Sequence, residues 1–125
     1  MRTLAMLILA ASPAYAIDVP SGQPLELQEV LVDAQDARTW LRFRFVAPQI
    51  GRGDGRLSYA DTSPDFLHLC DTLALPYMAE YQLTGDAIVI SLADRATEFG
   101  VPDPDATQFF EAFRIEGDTC IWEDY

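Results

Sequence analysis

Two cysteines, Cys70 and Cys120, are the whole thiol content of the chain. Their meaning depends on the compartment, and the N-terminus points to one. Arg2 gives a short positive start, Leu4 to Ala11 form an apolar run, and Ala14-Tyr15-Ala16 fits a small-x-small cleavage pattern. The run falls short of the ~20 apolar residues that a membrane-spanning helix needs. No twin-Arg pair precedes it and no Cys follows Ala16, so residues 1–16 read as a general secretory signal peptide and not as a lipid anchor. The expected destination after cleavage near Ala16 is the periplasm or the extracellular space. In such an oxidising compartment an even count of cysteines reads as a disulfide, here with a single possible pairing. Closing a loop of about 50 residues would stabilise the fold by ~4 kcal/mol in the chain-entropy model. Positions 70 and 120 are therefore expected to meet in space.

Removal of the signal segment leaves residues 17–125, a length suited to one domain and containing no further candidate span. Half the chain is hydrophobic and 11% is aromatic, which excludes a disordered chain. The formal charge is −12, every one of the eight basic residues is Arg, and Lys and Asn are absent. So acidic a surface repels nucleic acid and anionic lipid, so neither is an expected partner.

Leu25 to Asp33 and Thr39 to Ala47 read as two strands joined by a polar turn at Ala34 to Arg38. In the second, Leu41, Phe43 and Phe45 alternate with Arg42 and Arg44, giving one buried and one solvated face. Pro48 to Arg56 is a glycine-rich loop, and Leu57 to Ala60 is a candidate short strand. Ser63-Pro64-Asp65 has the chemistry of a helix start, with a capping hydroxyl, a proline suited to the first turn and an acid for the helix dipole. Phe66, Leu69, Cys70 and Leu73 then follow helical spacing, with Pro76 expected to kink or divide the helix and Gly85 to stop it. Tyr77 to Leu83 fits helix or strand. Ala87 to Ala93 is apolar on both faces and predicts a central, covered strand. Asp94 to Asp105 is a loop. Phe109 to Glu116 and Thr119 to Glu123 form a hairpin about Gly117-Asp118, although Phe109, Phe110 and Phe113 also fit a helix. Pairing Glu116 with Thr119 sets Ile115 against Cys120 and Phe113 against Trp122, all on one side of the sheet. The disulfide then joins the apolar helix face to the apolar hairpin face. The expectation is an α+β fold: an antiparallel sheet of about five or six strands, one kinked helix on one face, and one disulfide.

Chemistry-bearing residues are sparse. Arg52 and Arg56, set among Gly51, Gly53 and Gly55, suggest an anion grip, but no Gly-Lys-Ser/Thr closes a phosphate loop. Asp94 and Arg95 follow the covered strand, with Glu98 nearby, where carboxylates can do acid–base work or bind Ca²⁺. An Asp–Arg pair that serves only the loop is the plainer account. His68, the sole histidine, falls off the apolar helix stripe and is expected to be exposed. No Cys-x-x-Cys and no Gly-x-Ser-x-Gly elbow is present, and His68 and Cys70 diverge on a helix and do not converge on a metal.

The stretches Trp40-Leu41-Arg42-Phe43-Arg44-Phe45-Val46-Ala47-Pro48, His68-Leu69-Cys70, Ala74-Leu75-Pro76-Tyr77, Val89 to Arg95, Phe99-Gly100, and Thr107 to Phe113 with Cys120-Ile121-Trp122-Glu123 are similar to an uncharacterised family of small exported bacterial proteins. Some members carry the label acetolactate synthase. Gly53-Asp54-Gly55 looks like the opening of a thiamine-diphosphate motif, but that motif closes on an Asn, and this chain has none. The resemblance implies export and the cysteine pair, and no mechanism.

With no catalytic constellation, the expectation is a non-enzymatic periplasmic or secreted binding or accessory protein. Its partner would be an envelope protein or a small ligand, with no cofactor and no metal. A small hydrolase-like enzyme around Asp94, Arg95 and Glu98 is the alternative, and a cation-binding acidic domain is the third reading.

Overall fold

Alternation and β-branching build the sheet, and the helix covers the face that alternation makes apolar. The computed structural model describes residues 6–7 and 17–123. Most of the expected signal segment, residues 1–16, lies outside the described residues. Its described part, strand β1 (Met6–Leu7), pairs antiparallel with the outer edge of β2.

Strands β2 (Glu26–Gln35) and β3 (Arg38–Val46) form the expected hairpin, with Val30 opposite Phe43 and Asp33 opposite Trp40. Its turn places Asp36 at φ 51° and Ala37 at φ 65°, the left-handed geometry that matches the twist of two-residue hairpins. The chain then crosses through helix and returns as β4 (Ala87–Ala93), which pairs parallel with β3. β5 (Gln108–Glu116) runs antiparallel to β4, and β6 (Thr119–Trp122) antiparallel to β5. The sheet is thus mixed, which corrects the expected all-antiparallel arrangement. A strand–helix–strand unit returns its second strand in the direction of the first, because the intervening helix carries the chain back. The hairpin register matches expectation: Glu116 faces Thr119, Ile115 faces Cys120, and Phe113 faces Trp122.

The helical segment starts five residues earlier than the Ser63-Pro64 signal suggested. Helix α1 (Tyr59–Leu69) is capped by Ser58, whose hydroxyl accepts the Asp61 N–H while the Asp61 carboxylate accepts the Ser58 N–H. This reciprocal cap outweighs the cost of Pro64 inside the helix. Leu57 makes only an isolated bridge to Ile50, in place of a strand over 57–60. Pro76 does not break the helix either. A π-helical turn at Cys70–Ala74 precedes it, with the Leu75 N–H donating to the Cys70 carbonyl, and α2 (Leu75–Glu80) continues from there. The wider turn accommodates a residue with no N–H to give. The helix therefore covers Tyr77 and ends before Gly85. Leu83 N–H bonds to the Met78 carbonyl at 2.9 Å, with Gln82 at φ 56° between them, a Schellman ending. Gly85 serves packing instead: a Cβ there would stand 2.8 Å from the Leu41 side chain.

The core lies between helix and sheet. Phe66, Leu69, Cys70, Ala74 and Met78 pack onto Leu41, Phe43, Phe45, Ile88, Ile90, Leu92 and Phe113. Cys70 and Cys120 are bonded, Cα to Cα 6.2 Å, which ties the π-helical turn to the short edge strand β6. The lead-in 17–24 is fastened by Asp65, fully buried, whose carboxylate accepts the Ser21 N–H at 2.9 Å and the Gln23 amide at 2.8 Å.

Candidate functional site

The face of the sheet away from the helix carries Arg42 and Arg44 on β3, Val89 and Ser91 on β4, and Gln108 and Phe110 on β5. These positions lie side by side in the register, Arg42 against Val89 and Arg44 against Ser91, then Ser91 against Phe110. Over this face returns the loop from Asp94 to Thr107. Between loop and sheet is a cavity of about 340 Å³, within the range of small-ligand sites. Phe99, Val101 and Pro102 of the loop line it opposite the strand residues.

Four contacts hold the loop in place. At its neck the Asp94 N–H donates to the Thr107 carbonyl at 3.0 Å, and the Thr107 N–H returns to Asp94 Oδ1 at 3.1 Å. Further along, Thr97 Oγ1 accepts from Arg44 Nη2 at 2.7 Å, and the Thr97 carbonyl accepts from Gln28 Nε2 at 2.8 Å. Phe99 lies beneath both arginines, its ring centroid 5.3 Å from the Arg42 guanidinium carbon and 5.5 Å from that of Arg44. Distances of this size permit cation–π attraction.

The two arginines differ in what they have left to offer. Arg44 is 5% exposed, so the β3 face expected to be solvated is covered at this position. One of its Nη groups pairs with Glu29 and the other with Thr97. Arg42 gives its Nε–H to Asp33 at 3.1 Å and lies over two rings, Trp40 and Phe99. No hydrogen bond from its terminal Nη groups is found among the described residues. Both countercharges, Asp33 and Glu29, belong to β2, beside the arginines on the same face of the sheet.

Of the loop residues singled out from sequence, Arg56 and Arg95 both lie within electrostatic reach of Asp94, and only Glu98 lines the cavity. Arg56 donates to the carbonyl of Ile50 at 3.1 Å and also to that of Pro48, and its stem packs against Gly51, so it serves its own loop. Arg52 is exposed on that loop. Asp94 pairs with the exposed Arg95 at 3.1 Å and anchors the neck of the 94–107 loop. Burial would push the Asp94 carboxyl up, but the Arg95 hydrogen bond, the Thr107 N–H and the charges of Arg95 and Arg56 outweigh it and hold it below the usual range. Glu98 lines the cavity. His68 is partly covered, not exposed as expected, and sits on the helix across the sheet from Glu98. Among the described residues, no three His, Cys, Asp or Glu side chains stand together as metal ligands would.

The sequence offers the Arg42/Arg44 face and the aromatic C-terminal hairpin as conceivable contact surfaces, but does not join them to each other or to Phe99 and Val101 as one site. A signal was present. Val89 and Ser91 belong to a strand that reads as covered on both faces, so the neighbouring arginine face had to be covered in part as well.

The model of a family of unknown function, DUF6497, matches residues 3–125. The chain belongs to this family. Neither the curated proteins nor the solved structures hold a match to it. The cavity and the loop that walls it lie within the stretch matched to DUF6497, and so does the disulfide. No helix among the described residues is long and apolar enough to cross a membrane.

Proposed function

We propose that the protein is a non-enzymatic binding protein of the periplasm or the extracellular space, and that its ligand enters the cavity beneath the 94–107 loop. One observation carries this reading. Of the six large apolar side chains exposed among the described residues, three (Phe99, Val101 and Phe110) line this one cavity. Phe110 is 65% exposed and Val101 52%. Apolar surface held open to water costs free energy in the empty protein, and a ligand that covers it returns that cost. The disulfide and the absence of a membrane-crossing helix among the described residues are compatible with the proposed location.

The test is a thermal-shift screen of small apolar and amphipathic compounds against the oxidised protein. Ligands of the cavity raise Tm by mass action. Gln108 lines the cavity from an exposed strand position, so Gln108→Trp fills the space without disturbing the core. Ligands that stabilise the wild type and not Gln108→Trp support the proposal. A screen in which no compound distinguishes the two proteins counts against it.

A further inference from the structure

From the state of the two arginines we infer that the cavity takes a small monocarboxylate with an apolar body, and that Arg42 grips the carboxylate. The inference rests on the cavity being the binding site and adds the chemical class of what fills it. Arg44 has one Nη group on Glu29 and the other on Thr97, and is itself buried, so it is committed to holding the loop. Arg42 is different. Asp33 takes only its Nε–H, and the Trp40 and Phe99 rings, at 5.7 and 5.3 Å, restrict where its guanidinium can go. A guanidinium fixed in this way presents its remaining N–H groups in a set direction, and the matching acceptor is a planar, two-oxygen carboxylate. Little ordering entropy remains to be lost when the ligand arrives.

The same geometry limits the ligand's charge. One uncommitted donor edge, a chain of net charge −12 and Glu98 at the cavity all disfavour a phosphate dianion. Val89, Val101, Pro102 and Phe110 supply an apolar part of the wall for the body of the ligand, beside the polar Ser91 and Gln108. An aromatic or branched aliphatic acid satisfies both ends of such a site.

The experiment measures binding of three acids, each beside its neutral amide, by calorimetry on the oxidised protein. The probes are N-acetylphenylalanine, phenylacetate and hexanoate, with a short peptide ending in phenylalanine as a further arm. At least one free acid is expected to bind more tightly than its amide by about tenfold or more, the worth of a charge-assisted two-point contact. Arg42→Gln is expected to abolish that preference. Arg42→Lys keeps a cation beside Asp33 but loses the paired donors, and is expected to reduce the preference in a protein that still folds. Arg52→Gln, exposed on the glycine-rich loop and not part of the cavity lining, is expected to leave it unchanged. A peptide that binds where the small acids do not would overturn the small-molecule assignment. Acid and amide binding equally, with both blocked by Gln108→Trp, would overturn the carboxylate grip and leave the cavity reading standing. No binding by any probe, together with a blank thermal-shift screen, would remove both.

Discussion

The Asp71 carboxylate accepts the backbone N–H of Cys120 at 2.9 Å, so residues 70 and 71 both hold the strand that residue 120 begins to bury. β6 is four residues long and pairs only with β5 among the described residues, which makes it the strand most in need of fastening. The disulfide does this covalently and Asp71 does it through one backbone donor.

Replacing both cysteines by alanine is expected to lower unfolding free energy by about 4 kcal/mol, the loop-closure value for a bridge of this span. Asp71→Ala alone is expected to cost about 1 kcal/mol. Because the two fastenings share one strand, their effects are not expected to add. Urea denaturation of the two variants and their combination checks this, with amide exchange at Cys120 as the local readout.

Arg44 and Glu29 form a pair with side-chain exposures of 6% and 17%. Arg44→Ala leaves the Glu29 carboxylate largely buried without its partner and is expected to cost about 3 kcal/mol. It also removes the donor to Thr97, so the 94–107 loop should exchange its amides faster. Thr97→Ala removes only the loop contact, at about 1 kcal/mol, and should loosen the loop while leaving β3 protected. Equal protection of the loop in wild type and Thr97→Ala would mean that Gln28 and the Asp94 neck suffice.

Most of the fold could be read from periodicity, and the failures have separate physical causes. The alternation of Leu41, Phe43 and Phe45 with Arg42 and Arg44 assigned the core face of β3, while the face it marked as solvated is covered at Arg44. The pairing of Ile115 with Cys120 follows from the Gly117-Asp118 turn, and the disulfide from two cysteines in a chain that reads as exported, with the register and the helix stripe in agreement. The parallel pairing of β3 with β4 was missed because two strands close in space do not reveal their direction; the connecting element does. Ser63-Pro64-Asp65 misled because a good cap is only a local preference, and Ser58 with Asp61 offered a second one three residues apart. The cavity was the least visible part. It depends on a loop folding back over the sheet, held by Thr97 and Asp94, and no periodic pattern reports such a return.

Besides Asp36, two non-glycine residues among those described occupy left-handed backbone positions that favour glycine, Ala37 at φ 65° in the β2–β3 turn and Gln82 at φ 56° after α2. Neither gains from a local side-chain hydrogen bond of the kind that Asp36 can make. Ala37→Gly and Gln82→Gly are each expected to raise stability by up to about 1 kcal/mol, relief of strain exceeding the added freedom of the unfolded chain. The two sites are remote from the cavity, so ligand binding should be unaffected. A fall in Tm for either variant would contradict the assigned turn geometry.

Tyr59 donates its hydroxyl to Glu111, which also accepts the Trp122 indole N–H at 3.1 Å. The Glu111 hydrogen bond, then burial, then the Glu111 charge raise the Tyr59 pKa above its usual value. Folding therefore favours the neutral phenol. This contribution is fully present below the unfolded value of about 10 and is lost as pH rises through the folded one. The difference in alkaline absorbance titration between wild type and Tyr59→Phe should place this hydroxyl above 10, and Glu111→Gln should return it toward that value.

Asp94 titrates in the opposite sense. Its carboxyl is held below the ordinary value of 3.8, since the Arg95 and Thr107 hydrogen bonds and the charges of Arg95 and Arg56 overcome burial. The ionised form is thus favoured by folding. Its contribution is present above the unfolded pKa and is lost as pH falls through the folded one. What is lost locally is the Oδ1 acceptor for the Thr107 N–H, which closes the neck of the loop over the cavity. Acidification should therefore speed exchange of the Thr107 amide and weaken ligand binding, with a midpoint below the normal aspartate range. Asp94→Asn should retain part of the neck at neutral pH, because an amide oxygen can still accept from Thr107, while removing the acid transition. An Asp94→Asn protein whose Thr107 amide still loses protection on acidification would show that another carboxylate, not Asp94, holds the loop closed.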